Sequence, residues 1–228
     1  KSNNQSYLTF LFKRIYVNLI RPRFWIRWKG LEWQVSKKFH ASKIPYYYGV
    51  ADIEEFSFLE YILQPGDVFV DIGSNVGIYS SFVVKTLQTY CVLFEPDQEA
   101  LAFNKEIQKR NFIEEYIDSF PYACSDESGV QQFTAGKDLN NTLTIHQNDK
   151  HVQVRCVRLD DVLTMSPTVI KIDAEGHDAH ILRGAKNSLS KNTLKAVIVE
   201  FDNNKSEITT QLESAGFIQI QFLVESHI

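Results

Sequence analysis

Apolar runs alternate with amphipathic segments along most of the chain, and this alternation predicts strands followed by helices. The runs VFVDI, YCVLF, TVIKI and KAVIV are almost continuously apolar, as strands are when both faces of a sheet are covered. Strands are therefore predicted at residues 67–72, 90–95, 116–122, 168–172, 195–201 and 217–223. Helices are predicted at residues 76–87, 97–110, 177–190 and 203–215. The alternation indicates an α/β fold with a doubly wound, mostly parallel sheet.

Outside this alternation, the sequence predicts an insertion and two N-terminal helices. The insertion is a β-hairpin region of short strands at residues 130–135, 142–146 and 151–157. EEFSFLEYIL predicts a helix that Pro65 and Gly66 end. SYLTFLFKRIYVNLI predicts an amphipathic helix with Lys13 and Arg14 on its polar side. Its other side carries apolar residues at helical spacing: Leu8, Leu11, Phe12, Ile15 and Leu19.

The composition is that of an ordinary globular protein, with 44% hydrophobic and 23% charged residues. The three cysteines form no CxxC pair, so neither a disulfide framework nor a zinc site is expected. No apolar run reaches the roughly 18 residues of a membrane-spanning helix. We therefore expect a cytoplasmic protein.

Charge is distributed unevenly between the start of the chain and the rest. The net charge is −4, yet residues 1–43 contain ten lysines and arginines and one acidic residue, Glu32. All three tryptophans lie within the same segment. We therefore divide the chain into a basic, aromatic-rich N-terminal helical cap at residues 1–48 and a main domain at residues 49–228.

The stretch VFVDIGSNVGIY carries the first signal for ligand binding. Asp71 ends a predicted strand, and Gly73 and Gly77 bracket the turn into the next helix. Open parallel sheets bind ligands beyond the carboxyl ends of their strands, and the amides at a helix N-terminus favour a carboxylate or phosphate. We interpret the glycines as allowing a ligand to lie against the backbone. Tight packing within the protein is the alternative explanation.

The next strand adds an acidic residue, because it ends in LFEPD and so places Glu95 24 residues after Asp71. An acid at about this distance accepts hydrogen bonds from ribose hydroxyls. The other role of such a carboxylate, capping the following helix, suits Asp97 better. Asn75 stands where a dinucleotide site has its second glycine, which disfavours a pyrophosphate. S-adenosylmethionine, which has no phosphate, fits better.

The segments DIGSNVG, FEPD, ACSDESG and VIKIDAEGHDAHILRGA together resemble the FkbM family of S-adenosylmethionine-dependent methyltransferases. The resemblance extends from about Tyr47 to Gly216. It implies the class I methyltransferase fold and O-methylation of a hydroxyl on a sugar, a glycoconjugate or another small metabolite. The alternatives are an N-methyltransferase, a nucleotide-cofactor-binding module and an NAD-dependent oxidoreductase. One departure is that only FIQIQFLVESHI remains after the last helix to supply the final strands of the sheet.

The resemblance also implies which residues bind the cofactor. The glycine turn would hold the methionine end, Glu95 would hold the ribose, and Ser125 and Asp126 would flank the adenine. The full set of expected cofactor-binding residues is Asp71, Gly73, Ser74, Asn75, Gly77, Glu95, Ser125, Asp126 and Asp173.

Polar residues in or just after the ends of the fourth and fifth predicted strands are the catalytic candidates: Lys171, Asp173, His177 and Glu200. Lys171 shares a strand face with Asp173, and an ion pair with Asp173 or Glu200 is favoured over a role as base. Asp173 is placed nearest to the reacting methyl group, and His177, with an ordinary pKa near 6.5, is the expected proton acceptor. A divalent metal is not favoured, because the spacing of the acids and the histidine is no specific ligand pattern. Its ligands would come from Asp173, Glu175, His177 and Asp178.

Two interpretations of the N-terminal cap stay open. In the first, the cap packs on the main domain and shapes the acceptor pocket, as amphipathic helices more often do. In the second, residues 1–43 place basic groups among aromatic ones at an anionic membrane surface or a lipid-linked substrate. Such a segment also suits single-stranded nucleic acid, but the acidic main domain argues against a nucleic-acid partner. The expected partner is a small-molecule or glycan acceptor.

Overall fold

A parallel sheet of five strands forms the centre of the computed structural model, which describes residues 2–50, 52–134, 151–200 and 205–220. The strands are β3 (Val68–Ile72), β4 (Tyr90–Phe94), β5 (Ile117–Phe120), β9 (Val169–Ile172) and β10 (Ala196–Val199). Their spatial order is β10-β9-β3-β4-β5, and every neighbouring pair is parallel. The predicted doubly wound fold is confirmed.

Helices cover both faces of this sheet. They are α3 (Ile53–Ile62), α4 (Ile78–Leu87), α5 (Gln98–Asn111), α6 (Leu159–Val162), α7 (Asp178–Arg183), α8 (Lys186–Leu189) and α9 (Lys205–Ser214). Phe69 and Leu93 pack with α4 and α5, whereas Val70 and Val92 pack with α7 and α8. Successive strand residues point to opposite faces, so each apolar run supplies two cores. Among the described residues, no helix has the length and apolar character needed to cross a membrane.

The C-terminal third differs from the prediction in two places. The helix expected at residues 177–190 is two short helices, because Ala185 leaves the helical conformation with a φ of −115° and a ψ of 15°. Gly184 just before it allows close packing, since a Cβ atom there would lie 2.0 Å from the Ser125 carbonyl oxygen. Residues 217–220 form no strand, and the rest of the strand expected at 217–223 lies outside the described residues.

A small second sheet follows β5, as the predicted insertion required. It contains β6 (Ala123–Cys124), β7 (Gly129–Thr134) and β8 (His151–Val157) in the order β6-β8-β7. β7 and β8 pair antiparallel, while β6 runs parallel to β8. The strand predicted at residues 142–146 lies outside the described residues.

The N-terminal cap is not helical throughout, contrary to the prediction. Helix α1 (Ser2–Ile15) continues as a π-helical turn, Tyr16–Ile20, and α2 (His40–Tyr48) follows later, but β1 (Arg23–Trp28) and β2 (Leu31–Ser36) form an antiparallel hairpin between them. Lys29 and Gly30 form its turn with φ angles of 45° and 80°. Two central residues with positive φ are typical of a type I′ hairpin turn. The Lys-Gly pair between FWIRW and LEWQV is the signal that the helical interpretation overlooked.

The hairpin packs directly on the main domain. Trp28 and Trp33 belong to the same buried cluster as Phe82. The Asn111 side chain, at the end of α5, accepts a hydrogen bond from the Glu32 amide at 2.8 Å and donates one to the Glu32 carbonyl at 2.9 Å. The cap and the main domain therefore share one continuous core.

We expect Asn111→Ala to lower the free energy of unfolding by about 1–3 kcal/mol, because both backbone groups of Glu32 lose their partner. Lys109→Ala, on the exposed side of the same helix, is the matched control. Urea denaturation of both variants measures the difference. Equal stabilities would show that this contact does not hold the hairpin.

Candidate functional site

A cavity of about 630 Å³ lies at the carboxyl end of the parallel sheet. Its lining is strongly acidic. The carboxylates that line it are Asp52, Glu55, Asp71, Glu95, Asp97, Asp173, Glu175 and Glu200. Among the described lining residues, Lys171 is the only lysine or arginine. The cavity therefore has a surplus of negative charge, which favours a cationic occupant.

The backbone of the glycine turn is held by the end of β4. The Gly73 and Ser74 amides donate hydrogen bonds to the Phe94 carbonyl at 3.0 and 3.2 Å. The Asn75 amide donates to the Glu95 carboxylate at 2.7 Å. These three amides are therefore engaged within the protein, and the expected role of the amides at the N-terminus of α4 stays a prediction.

The two glycines of the turn are explained by tight packing. Gly73 has a φ of +80°, and a Cβ atom there would lie 1.9 Å from the Asp173 carbonyl oxygen. Gly77 has a φ of +78°, and a Cβ atom would lie 2.2 Å from the Asn104 side chain. Both positions exclude a side chain because of protein atoms. Tight packing therefore accounts for both glycines, and a ligand that also lies against this backbone stays a prediction.

Polar side-chain atoms of the same turn remain for a ligand. Asp71 Oδ2, Ser74 Oγ and Asn75 Oδ1 are buried and have no hydrogen-bond partner in the described part of the chain. All three residues line the cavity. Burial raises the pKa of Asp71 to about 6, although Lys171 acts in the opposite direction. Unpaired buried polar atoms are costly, so a bound ligand that pairs with them would gain affinity.

Glu95 directly follows β4 and holds two loops. One carboxylate oxygen accepts from the Asn75 amide and the other from the Asp97 amide, each at 2.7 Å. Burial raises the pKa of Glu95 to about 7, while these two hydrogen bonds oppose the rise. Asp97 caps α5 by accepting from the Glu99 amide at 2.8 Å, which confirms the role given to it. Glu95 lines the cavity, and its contact with a ribose stays a prediction.

Lys171 lies at the centre of the acidic cluster. It is the register neighbour of Asp71 across strands β9 and β3, and its side chain is almost fully buried. Its Nζ lies 3.0 Å from Asp173 Oδ2, the ion pair that was predicted, and 4.6 Å from the centre of the Tyr79 ring. Burial by itself lowers the pKa of Lys171, but Asp173, Asp71 and Glu55 raise it overall. The ammonium group therefore stays charged at neutral pH.

Glu200 joins this cluster from the end of β10. It lines the cavity together with Asp173. Its pKa is raised to about 7, first by the negative charge of Asp173 and then by burial, with Lys171 opposing both. Glu200 can therefore take up and release a proton near neutral pH. The structure thus brings together Asp71, Lys171, Asp173 and Glu200, as the strand ends predicted.

The pKa of His177 differs from the one expected. Its Nε2 lies 3.0 Å from Ser125 Oγ, and its ring stacks on His180 with 4.3 Å between centres. Burial, with help from His180, lowers the pKa of His177 to about 4. The expectation of an ordinary pKa near 6.5 is wrong. The imidazole is neutral at physiological pH and its Nε2 has a partner, which weakens its case as the proton acceptor.

Ser125 and Asp126 are not among the described residues that line the cavity. Ser125 is buried against His177, and Asp126 accepts a hydrogen bond from Arg183 Nε at 3.0 Å. They connect the loop after β6 to α7. The lining from this part of the chain comes from the preceding residues, Tyr122, Ala123 and Cys124.

The described ranges contain no group of three acidic, histidine or cysteine side chains arranged to hold a metal ion. Asp178, one of the ligands considered for a metal, is buried, and its Oδ1 accepts a hydrogen bond from the Ala174 amide at 3.1 Å. The Asp178 side chain therefore helps to fix the turn between β9 and α7.

Residues from α2, α3 and α4 complete the cavity and were missed at the level of sequence. The Tyr79 hydroxyl donates to Asp52 at 2.9 Å, and one Glu55 carboxylate oxygen is buried without a partner among the described residues. Ala41 and Ile44 of the cap line the same cavity. Acidic residues in the first turn of a helix are usually solvated, so only the position of Tyr79 beside the glycine turn could have been a signal.

We expect Gly73→Ala to destabilise the protein by several times more than Gly176→Ala. Both glycines have positive φ, +80° and +88°, so both variants carry the left-handed penalty of about 1–2 kcal/mol. At Gly73 the new Cβ atom would also collide with the backbone of Asp173. At Gly176 no described atom apart from those of its chain neighbours lies within 4 Å of the new Cβ atom. Thermal unfolding of the two variants measures the difference. Similar losses in both would contradict tight packing at Gly73.

Comparison with known proteins finds methyltransferases. A family model described as the methyltransferase FkbM domain matches residues 71–219, which is more than half of the chain. The hexuronic acid methyltransferase AglP of Haloferax volcanii is 22% identical over 156 residues, covering 67% of this chain and 64% of AglP. The matched part is therefore less than two thirds of that relative.

Two solved structures are also similar. A methyltransferase FkbM from Methylobacillus flagellatus is 16% identical, with 62% of this chain and 39% of that chain covered and a TM-score of 0.45. A precorrin-6y C5,15-methyltransferase from Geobacter metallireducens is 15% identical, with coverages of 72% and 70% and a TM-score of 0.45.

Proposed function

Because the chain belongs to the FkbM family of methyltransferases, we propose that it transfers a methyl group from S-adenosylmethionine to a hydroxyl of a sugar or glycoconjugate. The acidic cavity is the observation that supports this most. S-adenosylmethionine carries a cationic sulfonium and an ammonium group and has no phosphate. A lining of many carboxylates and one lysine attracts such a cation and repels the pyrophosphate of NAD.

The described residues fit this cofactor. Asp71, Ser74 and Asn75 have buried oxygens that lack partners, and they would hold its amino-acid end. Glu95 already accepts two backbone N–H groups, but a carboxylate has about four acceptor sites, so it would also accept ribose hydroxyls. When bound, the cofactor supplies an electrophilic methyl group, and the protein supplies alignment.

We assign Glu200, rather than His177, as the general base that takes the proton of the acceptor hydroxyl. A general base works best with a pKa near the operating pH, and the pKa of Glu200 is about 7. Asp173 is paired with Lys171 and would orient the acceptor hydroxyl. His177, with its pKa of about 4 and its bond to Ser125, holds the loop after β9 in place.

The sugar acceptor is supported by a relative. AglP is named as a hexuronic acid methyltransferase, and hexuronic acid is a sugar that carries hydroxyl groups. The carboxylate of such an acceptor would have to lie away from the acidic lining. N-methylation is the second candidate, because the acidic lining would also attract a cationic amine acceptor. Analysis of the methylated product distinguishes the two, since one contains a new O–CH₃ bond and the other a new N–CH₃ bond. A binding module without activity would bind the cofactor and form neither product.

We expect Asp71→Asn to weaken S-adenosylmethionine binding by roughly 10–100-fold, because the ammonium group loses a charged partner in a buried site. The raised pKa of Asp71 means that its contribution to stability is lost as pH rises from about 4 through about 6. Above that pH the variant should therefore be at least as stable as the wild type. Calorimetry gives the affinity and urea denaturation gives the stability.

Asp118→Asn removes the same charge from an exposed position on β5 and is the matched control for Asp71→Asn. It should leave cofactor binding unchanged. If the two variants bind S-adenosylmethionine with equal affinity, Asp71 is not part of the cofactor site.

The pH dependence of methyl transfer tests Glu200. The carboxylate is the active form, so kcat/KM should rise with pH through about 7 in the wild type. Glu200→Gln should lower turnover by about 10²–10⁴-fold and abolish this rise. Transfer from labelled S-adenosylmethionine to a panel of glycans, including glycans that contain hexuronic acid, is the measurement. Glu213→Gln, an exposed change on α9, is the control, and an unchanged pH profile in Glu200→Gln would exclude Glu200 as the base.

A further inference from the structure

One side of α1 carries an apolar surface that faces solvent. We call it the α1 stripe, and it comprises Leu8, Leu11, Phe12, Ile15, Leu19 and Ile20. Phe12 is 69% exposed and Leu19 is 79% exposed. The spacing of these residues places them along one side of the helix and its π-helical continuation. The amphipathic face predicted from the sequence therefore exists, but it is not packed against the described main domain.

The opposite side of α1 is fixed to the fold, so the exposure of the stripe is not the result of a loose helix. Val17 is fully buried in the main core. The Phe10 ring packs edge-on against Tyr47 with 5.4 Å between centres, and Lys13 Nζ donates to the Tyr46 carbonyl at 2.7 Å. Turning the stripe inward would break these contacts.

Basic residues accompany the stripe. Residues 1–43 contain ten lysines and arginines and one acidic residue, whereas the chain as a whole is acidic. Arg14 lies beside Ile15 in the last turn of α1, Arg21 follows directly after Ile20, and both are exposed. An apolar stripe next to basic groups has the character of a helix that lies in a membrane interface.

We propose that the α1 stripe docks on an anionic membrane surface. The apolar side chains would enter the boundary between headgroups and acyl chains, and Arg14 and Arg21 would contact anionic headgroups. Charge complementarity selects this occupant over a second copy of the chain. Residues 2–21 contain no acidic residue, so two stripes that faced each other would bring Arg14 and Arg21 of one copy close to those of the other, and these charges repel.

The same contact would hold the cavity close to the membrane. Helix α2 packs on α1 through Tyr46 and Tyr47, and its residues Ala41 and Ile44 line the cavity. One helix therefore connects the stripe to the wall of the cavity. This follows from the contacts and does not depend on the identity of the methyl acceptor.

Sedimentation with lipid vesicles tests the proposal. The wild-type protein should bind vesicles of phosphatidylcholine mixed with phosphatidylglycerol, and should bind phosphatidylcholine vesicles much more weakly. Added salt should weaken binding to the anionic vesicles, since it screens the basic residues. Phe12→Ser combined with Leu19→Ser should reduce that binding by roughly tenfold or more, because two exposed apolar anchors are lost.

The matched control is Phe112→Ser combined with Ile218→Ser, two apolar residues that are each 84% exposed elsewhere on the protein. It should bind anionic vesicles like the wild type. Arg14→Gln combined with Arg21→Gln should weaken binding to anionic vesicles only. Circular dichroism checks that each variant is folded.

Three outcomes would overturn the proposal. The first is equal vesicle binding by the stripe variant and its control. The second is equal binding of the wild type to neutral and anionic vesicles. The third is a wild-type dimer in sedimentation velocity that dissociates in the stripe variant, together with no binding to vesicles, and it would assign the α1 stripe to contact between copies of the chain.

Discussion

The buried ammonium group of Lys171 is the constraint on which the cavity depends. Strands β3 and β9 place Lys171 beside Asp71 in register, so the two cannot separate while the sheet is intact. Lys171 also pairs with Asp173. The negative charge of Asp173 raises the pKa of the neighbouring Glu200, and Lys171 opposes this rise. One positive charge among many carboxylates leaves a net negative cavity, and this charge balance determines which cofactor fits and which group accepts a proton.

Two parts of the chain build this cavity. The residues matched by the family model begin at residue 71 and supply the glycine turn, Glu95 and the cluster around Lys171. The preceding part of the chain supplies Ala41 and Ile44 from α2 and Glu55 from α3. The wall contributed by these earlier segments lies outside the residues that the family model matches. The acceptor is therefore much harder to derive from the sequence than the cofactor.

The sequence predicts the sheet well, because apolar runs identify buried strands, and it predicts that Asp71, Lys171 and Asp173 meet, because parallel strands end at one edge. Prediction from the sequence fails where contacts between residues that are distant along the chain determine the local structure. His177 Nε2 contacts Ser125, which lies 52 residues earlier in the chain. The lowered pKa of His177 comes first from burial, which the sequence does not reveal. The glycine turn has a similar cause, because its tight packing arises from contacts with β4 and with the residue after β9.

The most direct measurement is a pair of calorimetric titrations of the wild-type protein, one with S-adenosylmethionine and one with NAD. If the negative charge of the cavity selects the ligand, S-adenosylmethionine should bind with a dissociation constant in the micromolar range, about −8 kcal/mol, and NAD should not bind. Tight binding of NAD with no binding of S-adenosylmethionine would contradict the assignment of the cavity and of the cofactor.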